Sequence, residues 1–437
     1  MVGNDDVPAN WAVVPLREIA EVRLGRQRSP DKATGEHMRP YLRAANVTWS
    51  GLDLSDVKQM NFDPRELEVY ALHKDDIVLG EASGSAAEVG KPAIWNNEIQ
   101  DCCLQNTLIR VRAQPGLAPF LLHHFVHDAR SGRFASASRG IGIHHLGAEA
   151  LSEWLIALPP IAEQRRIVSK LEALTAKSRR AKEALLSAKS LESQLVSYYT
   201  RDWPLAELAP HLVERVELAG AAWAEYRTVG LSNTGVICER REAIGIKGAT
   251  KCKIVRHGDI VFNPIRLSIG SIARYLGDEP AVVSPEYQVF RTKETLSSEV
   301  LVRYLRTTLG KSHVDIETQG SVRYRVYFRT LQGLRIPVAP PARQREAERL
   351  LLGLRNVFAL VNAAIEELPR LERSILAKAF RGELVPQDPS DEPASVLLER
   401  IRKEREAAGP TGGRGRKKAA PDKAPAKEKR AGAGSPR

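Results

Sequence analysis

Residues 158–168 read "LPPIAEQRRIV", and a near copy, "VAPPARQREAE", returns at 338–348. Each copy closes an extended run and opens a helical one, because proline near a first helical turn has no amide hydrogen bond to lose. Sliding the chain by 180 positions from this anchor superposes Gly140 on Gly320, Leu151 on Leu331, Ile156 on Ile336, Pro160 on Pro340 and Gln164 on Gln344. Further upstream the register drifts: "DDIVLG" (75–80) answers "GDIVFN" (258–263), and "VPLREIA" (14–20) answers "WPLAELA" (203–209). Internal duplication is the strongest organising statement the sequence makes.

Each copy has one grammar. Short β-like runs such as "DIVLG", "TLIRVRA" and "QVFRT", broken by Gly, Pro and Asn, precede a long helical stretch. In the second stretch Leu350, Leu354, Val357, Val361, Ala364, Leu368, Leu371 and Ile375 step by fours and threes, the spacing of a heptad seam. In the first, Ile167, Leu171, Leu174, Ser178, Ala181, Leu185 and Ala188 keep the same stepping. The pattern predicts two long helices that pack on one another, with ordinary amphipathic helices on a globular core as the alternative. At about 1.5 Å per residue, Ile161 to Tyr199 spans roughly 58 Å. Pro369 is expected to kink or split the second helix near Leu368.

The length of 437 residues favours more than one core, and the hydrophobic (43%) and charged (27%) fractions are those of a globular protein. The net charge of +12 is concentrated: residues 409–437 hold nine Lys/Arg and two Asp/Glu, a net of +7, which leaves +5 for the rest. This basic tail, rich in Ala, Pro, Lys and Gly, reads as disordered and as a source of salt-sensitive phosphate affinity. Before it, Asp391-Glu392-Pro393 opens a last short helix with Val396, Leu397 and Ile401 on one face. Cys102, Cys103, Cys238 and Cys252 form no CxxC pair and read as reduced thiols. No leader and no membrane-length apolar run appears, so a cytoplasmic protein without membrane attachment is expected.

Catalytic motifs are not found. "GSAAEVGKPA" (84–93) has the wrong glycine spacing for a phosphate loop and Pro92 where Ser or Thr would hold magnesium. "FNPIR" (262–266) lacks the second proline and the aromatic of an amino-methyltransferase tetrapeptide. His123, His124 and His127 have helical spacing that suits zinc, yet surface or half-buried histidines explain them better. No metal site is expected, and the pattern points to a binding protein.

Three strings, "LPPIAEQRRIV", its partial repeat and "LERSILAKAFRGELVPQDPSDEPASVLLERI" (371–401), resemble the DNA-specificity subunits of type I restriction-modification systems across Trp11 to about Arg405. The resemblance implies two α/β (α+β) target-recognition domains separated by two long antiparallel coiled-coil helices with pseudo-two-fold symmetry. The boundaries expected are 1–160 and 201–341 for the domains, 161–200 and 342–380 for the helices, 381–408 for a C-terminal segment and 409–437 for the tail. It also implies a non-catalytic chain that reads a split asymmetric site in double-stranded DNA. Its partners would be two methyltransferase subunits that bind S-adenosylmethionine and methylate adenine at N6, together with restriction subunits using ATP and Mg, so the chain itself binds no cofactor. A partner-facing set follows: Pro160, Glu163, Gln164, Pro340, Gln344, Phe380 and Gly382. Because Arg343 replaces Glu163 in the second copy, the two partner surfaces are expected to differ.

For DNA contact, "SRGIGIHHL" (138–146) and "TQGSVRYRVYF" (318–328) occupy matched positions with different content, as a common frame with exchanged reading residues would. Arg139, His144 and His145, against Arg323, Tyr324 and Arg325, are the leading candidates, since arginine bonds guanine bidentately. Lys91, Gln105, Asn106, Arg266, Ser284 and Tyr287 form a second tier near strand ends, where a solvated or phosphate-contacting role serves equally well. The rival readings are a coiled-coil scaffold with nonspecific nucleic-acid affinity, and a self-sufficient methyltransferase or nuclease.

Overall fold

The computed structural model describes residues 7–137, 144–232, 237–239, 246–318 and 325–407. The chain forms two compact units, Met1–Glu172 with Ile375–Arg437, and Ala173–Ser374. The first long helix, Ile161–Thr200, and the second, Pro341–Ala379, each contribute residues to both units. The basic tail and Arg139, Arg323 and Tyr324 lie outside the described residues.

The first unit is built on an antiparallel sheet with strands in the order Ala20–Leu24, Leu108–Ala113, Ile77–Gly80 and Pro92–Ile94. "IVLG" is buried at all four positions, as an interior strand covered on both faces requires. The second unit repeats the order with Leu212–Glu214, Gln288–Thr292, Ile260–Phe262 and Ile272–Arg274. In each unit a further sheet contains one parallel pair: Met38–Leu42 with Cys103–Leu104, and Arg227–Leu231 with Ala281–Val283. Ala12–Pro15 pairs antiparallel with Leu155–Leu158 to close the first unit, and Leu205–Glu207 with Arg335–Pro337 closes the second. All four cysteines are free.

Backbone hydrogen bonds fix the equivalence of the two units and correct one register. Leu16 N donates to Trp154 O at 2.8 Å, and Leu208 N to Leu334 O at 3.0 Å. Trp11 N donates to Pro8 O and Trp203 N to Thr200 O, at 2.9 and 3.1 Å. Trp154 and Leu334 keep the 180-residue offset, but Trp11/Trp203 and Leu16/Leu208 are 192 apart, three more than the match of "VPLREIA" to "WPLAELA" implies. The shared Pro-Leu letters misled because packing preserves the buried Trp and Leu, five residues apart in each copy, rather than the strand residues between them.

The glutamine of each proline motif explains why the motif recurs. Gln164 Nε2 donates to Pro159 O at 2.8 Å, and Gln344 Nε2 to Ala339 O at 2.6 Å, so each side chain ties its helix start to the strand before it. In the first unit, Ile167 and Leu171 share a core with Leu376, Ala379 and Phe380. In the second, Val196 shares one with Ala347 and Leu351, and Ser178 Oγ donates to Glu372 Oε1 at 2.7 Å. In the second unit the two helix segments therefore run antiparallel. The expected stripe of the second helix is covered only in part: Leu354, Val361, Leu368 and Ile375 are half-buried, Val357 and Leu371 are 52% and 51% exposed, and Leu351 and Phe358, outside the stripe, are 1% and 9%. Apolar residues crowd several faces of this helix, so a heptad count cannot single out the covered one. The helix also continues through Pro369 without a split.

After the second helix the chain turns at Gly382, whose φ of 75° and close approach to Pro8 (2.4 Å from an ideal Cβ to Pro8 Cγ) demand glycine. The last helix, Ala394–Ala407, then docks on the first unit. It buries Ala394, Leu398 and Ile401, whereas Val396, expected on one face with Ile401, is 39% exposed.

Candidate nucleic-acid interface

In both units the expected reading segment is clamped to the chain just beyond the central strand. Leu146 N donates to Glu81 O, and Val326 N to Pro264 O, each at 2.9 Å. The donors are 180 apart and the acceptors 183, the offset that aligns "DDIVLG" with "GDIVFN". In the first unit His144–His145 also pairs antiparallel with Ala82–Ser83. In each copy, then, the end of the segment is tied by one backbone hydrogen bond to the chain just after a buried strand.

Gly80 and Glu81 gather the other candidates of the first unit. Gly80 N donates to Lys91 O at 3.1 Å and Glu81 N to Thr107 O at 3.0 Å, which brings Lys91, Gln105 and Asn106 to the same strand end as the two histidines. The backbone nitrogens of Gln105 and Asn106 donate to Leu42 O and Arg26 O, both at 3.0 Å. Lys91 Nζ lies 2.5 Å from Glu88, and Glu88 also accepts from Trp49 Nε1 at 2.8 Å. The Lys91 hydrogen bond holds the Glu88 carboxyl below its ordinary value. Exposed His145 places Nδ1 3.2 Å from the Glu81 carboxylate, while His144 is half-buried.

In the second unit Arg266 is exposed two residues beyond Pro264, and exposed Arg325 donates to Glu286 at 3.2 Å. Ser284 is half-buried and its carbonyl accepts from Tyr287 N at 3.0 Å. Tyr287 is a correction: it is 4% exposed, and its hydroxyl accepts from Leu231 N inside the unit, so it is a core residue and not a base reader. Glu81 and Glu286 were not anticipated from the sequence; only their position beside the reading segments marks them. Glu286 forms an exposed ion pair with Arg325, worth little in water, whereas Glu81 is half-buried beside His145.

The expected partner-facing set is also corrected, because Pro160, Glu163, Gln164, Gln344 and Phe380 are buried in their own units. Glu163 accepts from Trp11 Nε1 at 3.0 Å and from Gln387 Nε2 at 2.6 Å, and Arg166 pairs with Asp391, so this helix start holds the C-terminal segment. Burial raises the Glu163 carboxyl above its ordinary value, against the pull of both hydrogen bonds. Its counterpart Arg343 is exposed, so the asymmetry between the copies begins with an internal tie rather than an outer surface. Pro340 is exposed and Gly382 half-buried.

Two of the three histidines of "HHFVH", His124 and His127, serve packing. His124 Nδ1 lies 3.0 Å from buried Asp128, which also accepts from Trp154 Nε1 at 2.7 Å and pairs with Arg133. Burial pushes the Asp128 carboxyl up, but His124, Arg133 and Trp154 together hold it below its ordinary value. His127 stacks on Phe380 with ring centroids 5.2 Å apart, and burial lowers it to about 4. Among the described residues no cluster of three or more His, Cys, Asp or Glu is arranged to hold a metal ion, and no helix is long and apolar enough to cross a membrane.

Comparison with known proteins agrees with this architecture. Residues 8–187 match the family model described as the type I restriction modification DNA specificity domain. The StySPI specificity subunit of Salmonella potsdam is 24% identical over 92% of this chain and 97% of its own length. The EcoKI specificity subunit of Escherichia coli K12 is 22% identical over the same shares. A solved chain from a study of complex assembly and conformational transition of the type I R-M system shares the fold, with a TM-score of 0.54 and 18% identity over 86% of this chain and 99% of that one. Over residues 8–187 by that family model, and along nearly its whole length by these curated relatives, the chain is similar to the specificity subunits of type I restriction-modification enzymes.

Proposed function

We propose that this chain is the sequence-reading, non-catalytic subunit of a DNA-modifying complex, each unit contacting one half of a split duplex site. The observation that carries the reading is the repeated clamp, Leu146 on Glu81 and Val326 on Pro264, which presents two unlike segments on one frame. Two frames with different side chains suit an asymmetric two-part site, as a symmetric dimer suits a palindrome. His145, Arg325 and Arg266 are the described residues assigned to phosphate or base edges, and Arg139, Arg323 and Tyr324 complete the assignment from sequence.

The partners are methyltransferase and restriction subunits, with two methyltransferase subunits as the finer assignment. S-adenosylmethionine, ATP and Mg belong to those subunits in this reading. The second long helix supports partner docking, since Val357, Leu360 and Leu371 stay 52%, 72% and 51% exposed, more apolar surface than one helix normally leaves in water.

The test is competition binding by the full chain with its methyltransferase partner, on a duplex selected from a randomised pool. Scrambling either half of the selected site is expected to weaken binding by about 100-fold or more, since each mismatched pair costs about 1–3 kcal/mol. Binding that ignores both scrambles and varies only with salt would instead identify the scaffold with nonspecific affinity.

A further inference from the structure

Where the first long helix passes the helices Ser298–Arg306 and Thr308–Thr318, the second unit has an open cavity of about 320 Å³, its lining including Lys189, Ser190, Ser193, Arg306, Thr308 and Lys311. Its lining carries four cations, Lys189, Arg303, Arg306 and Lys311, against one carboxylate, Glu192. That carboxylate is already engaged, because Arg303 donates to it while also holding Glu299 at 2.5 Å. Among the described residues no carboxylate lies at ion-pair distance from Lys189 or Lys311.

Arg306 and Lys311 are pressed together. An ideal Cβ on Gly270 would meet Lys311 Cε at 3.1 Å and Arg306 Cγ at 3.7 Å, so both stems lie side by side over that glycine. Burial, and then repulsion from Arg306 and Lys189, lowers the Lys311 ammonium below its ordinary value. Like charges held this close cost stability unless an anion joins them. Ser190, Ser193 and Thr308 line the same space, and Thr308 opens an 11-residue helix whose positive end adds to the field. Several cationic and hydroxyl donors around a small cavity match the many acceptor oxygens of phosphate.

We propose that this cavity binds a phosphate group, supplied by the DNA backbone or by a free polyphosphate. The first unit has no equivalent: by the 180-residue offset Arg306, Lys311 and Lys189 correspond to Val126, Ser131 and Pro369. The site therefore distinguishes one unit from the other. The DNA form of the proposal rests on the function proposed above; the free-phosphate form stands without it.

The experiment uses the full chain with Lys189→Gln/Lys311→Gln, and Lys189→Arg/Lys311→Arg as the charge-retaining control. Calorimetry with pyrophosphate and the salt dependence of binding to an arbitrary duplex are both measured, with melting temperature as a check on folding. For a free polyphosphate, pyrophosphate binds the wild type and the Arg variant, and the Gln variant is weaker by about tenfold or more, with duplex binding unchanged. For backbone phosphate, the slope of log affinity against log salt falls in magnitude by about 1.8 in the Gln variant alone, the value for two lost phosphate contacts. Loss in either arm supports the site. Wild-type and Gln chains that agree in both arms overturn it, and because an arbitrary duplex is used, that failure leaves the two-part reading untouched.

Discussion

Truncation after Ala379 leaves the first unit unfolded while the second keeps its protected amides. The removed segment is structural in the first unit, not an appendage: Phe380, Leu398 and Ile401 belong to its main core. Phe380 meets the Phe120 ring edge-on at 5.6 Å and His124 at 4.8 Å. Removing a buried Phe costs about 3–5 kcal/mol and a buried Leu or Ile about 2–5, so these three alone approach the 5–15 kcal/mol that holds a whole domain. Polar ties are lost as well. Glu163 loses Gln387, Arg166 loses Asp391, and Asn10 O loses Ala394 N, which it accepts at 3.0 Å. Hydrogen exchange of the truncated chain is expected to show fast amides in Ile77–Gly80 and Leu108–Ala113 and slow ones in Ile260–Phe262 and Gln288–Thr292. Protection retained in both sheets would mean that the closure is dispensable.

Inserting four residues into each long helix lengthens the gap in the recognised site and leaves both half-sites unchanged. Four helical residues add about 6 Å, on the order of one to two base pairs at about 3.4 Å each. The insertion belongs between Ser178 and Leu185 in the first helix, with a matching one before Glu372 in the second, where neither helix start nor reading segment is touched. Lengthening one helix alone would break the bond between Ser178 and Glu372, so the pair must be extended together. Sequencing of methylated sites would show a longer gap between the same two halves; a changed half-site would contradict a spacer role for the helices.

What was legible in the sequence was local and repeated. The proline motifs gave both helix starts because a proline and a glutamine side chain act within a few residues of themselves, as the bonds of Gln164 and Gln344 show. Strand positions such as "DIVLG" and "QVFRT" were legible for the same reason. What failed depended on contacts across long sequence distances. Glu163 looked like an outward contact because its ties to Trp11 and Gln387 lie 152 and 224 positions away. Phe380 and Tyr287 looked available because only tertiary packing buries them. In the second helix Leu350, Leu351, Leu352 and Leu354 offer competing stripes, and the covering partner chooses among them. The paired segments 138–146 and 318–328 were found because the frame around them repeats while their own letters do not.

The central claim is that two units read two different short stretches of one duplex on behalf of a methylating partner. Mapping N6-methyladenine across a genome, in cells with the intact gene and in cells lacking only this chain, tests it most directly. The account predicts one class of two-part asymmetric adenine motif that is fully methylated in the first and unmethylated in the second. Loss of a continuous or palindromic motif, or an unchanged methylation map, would contradict it.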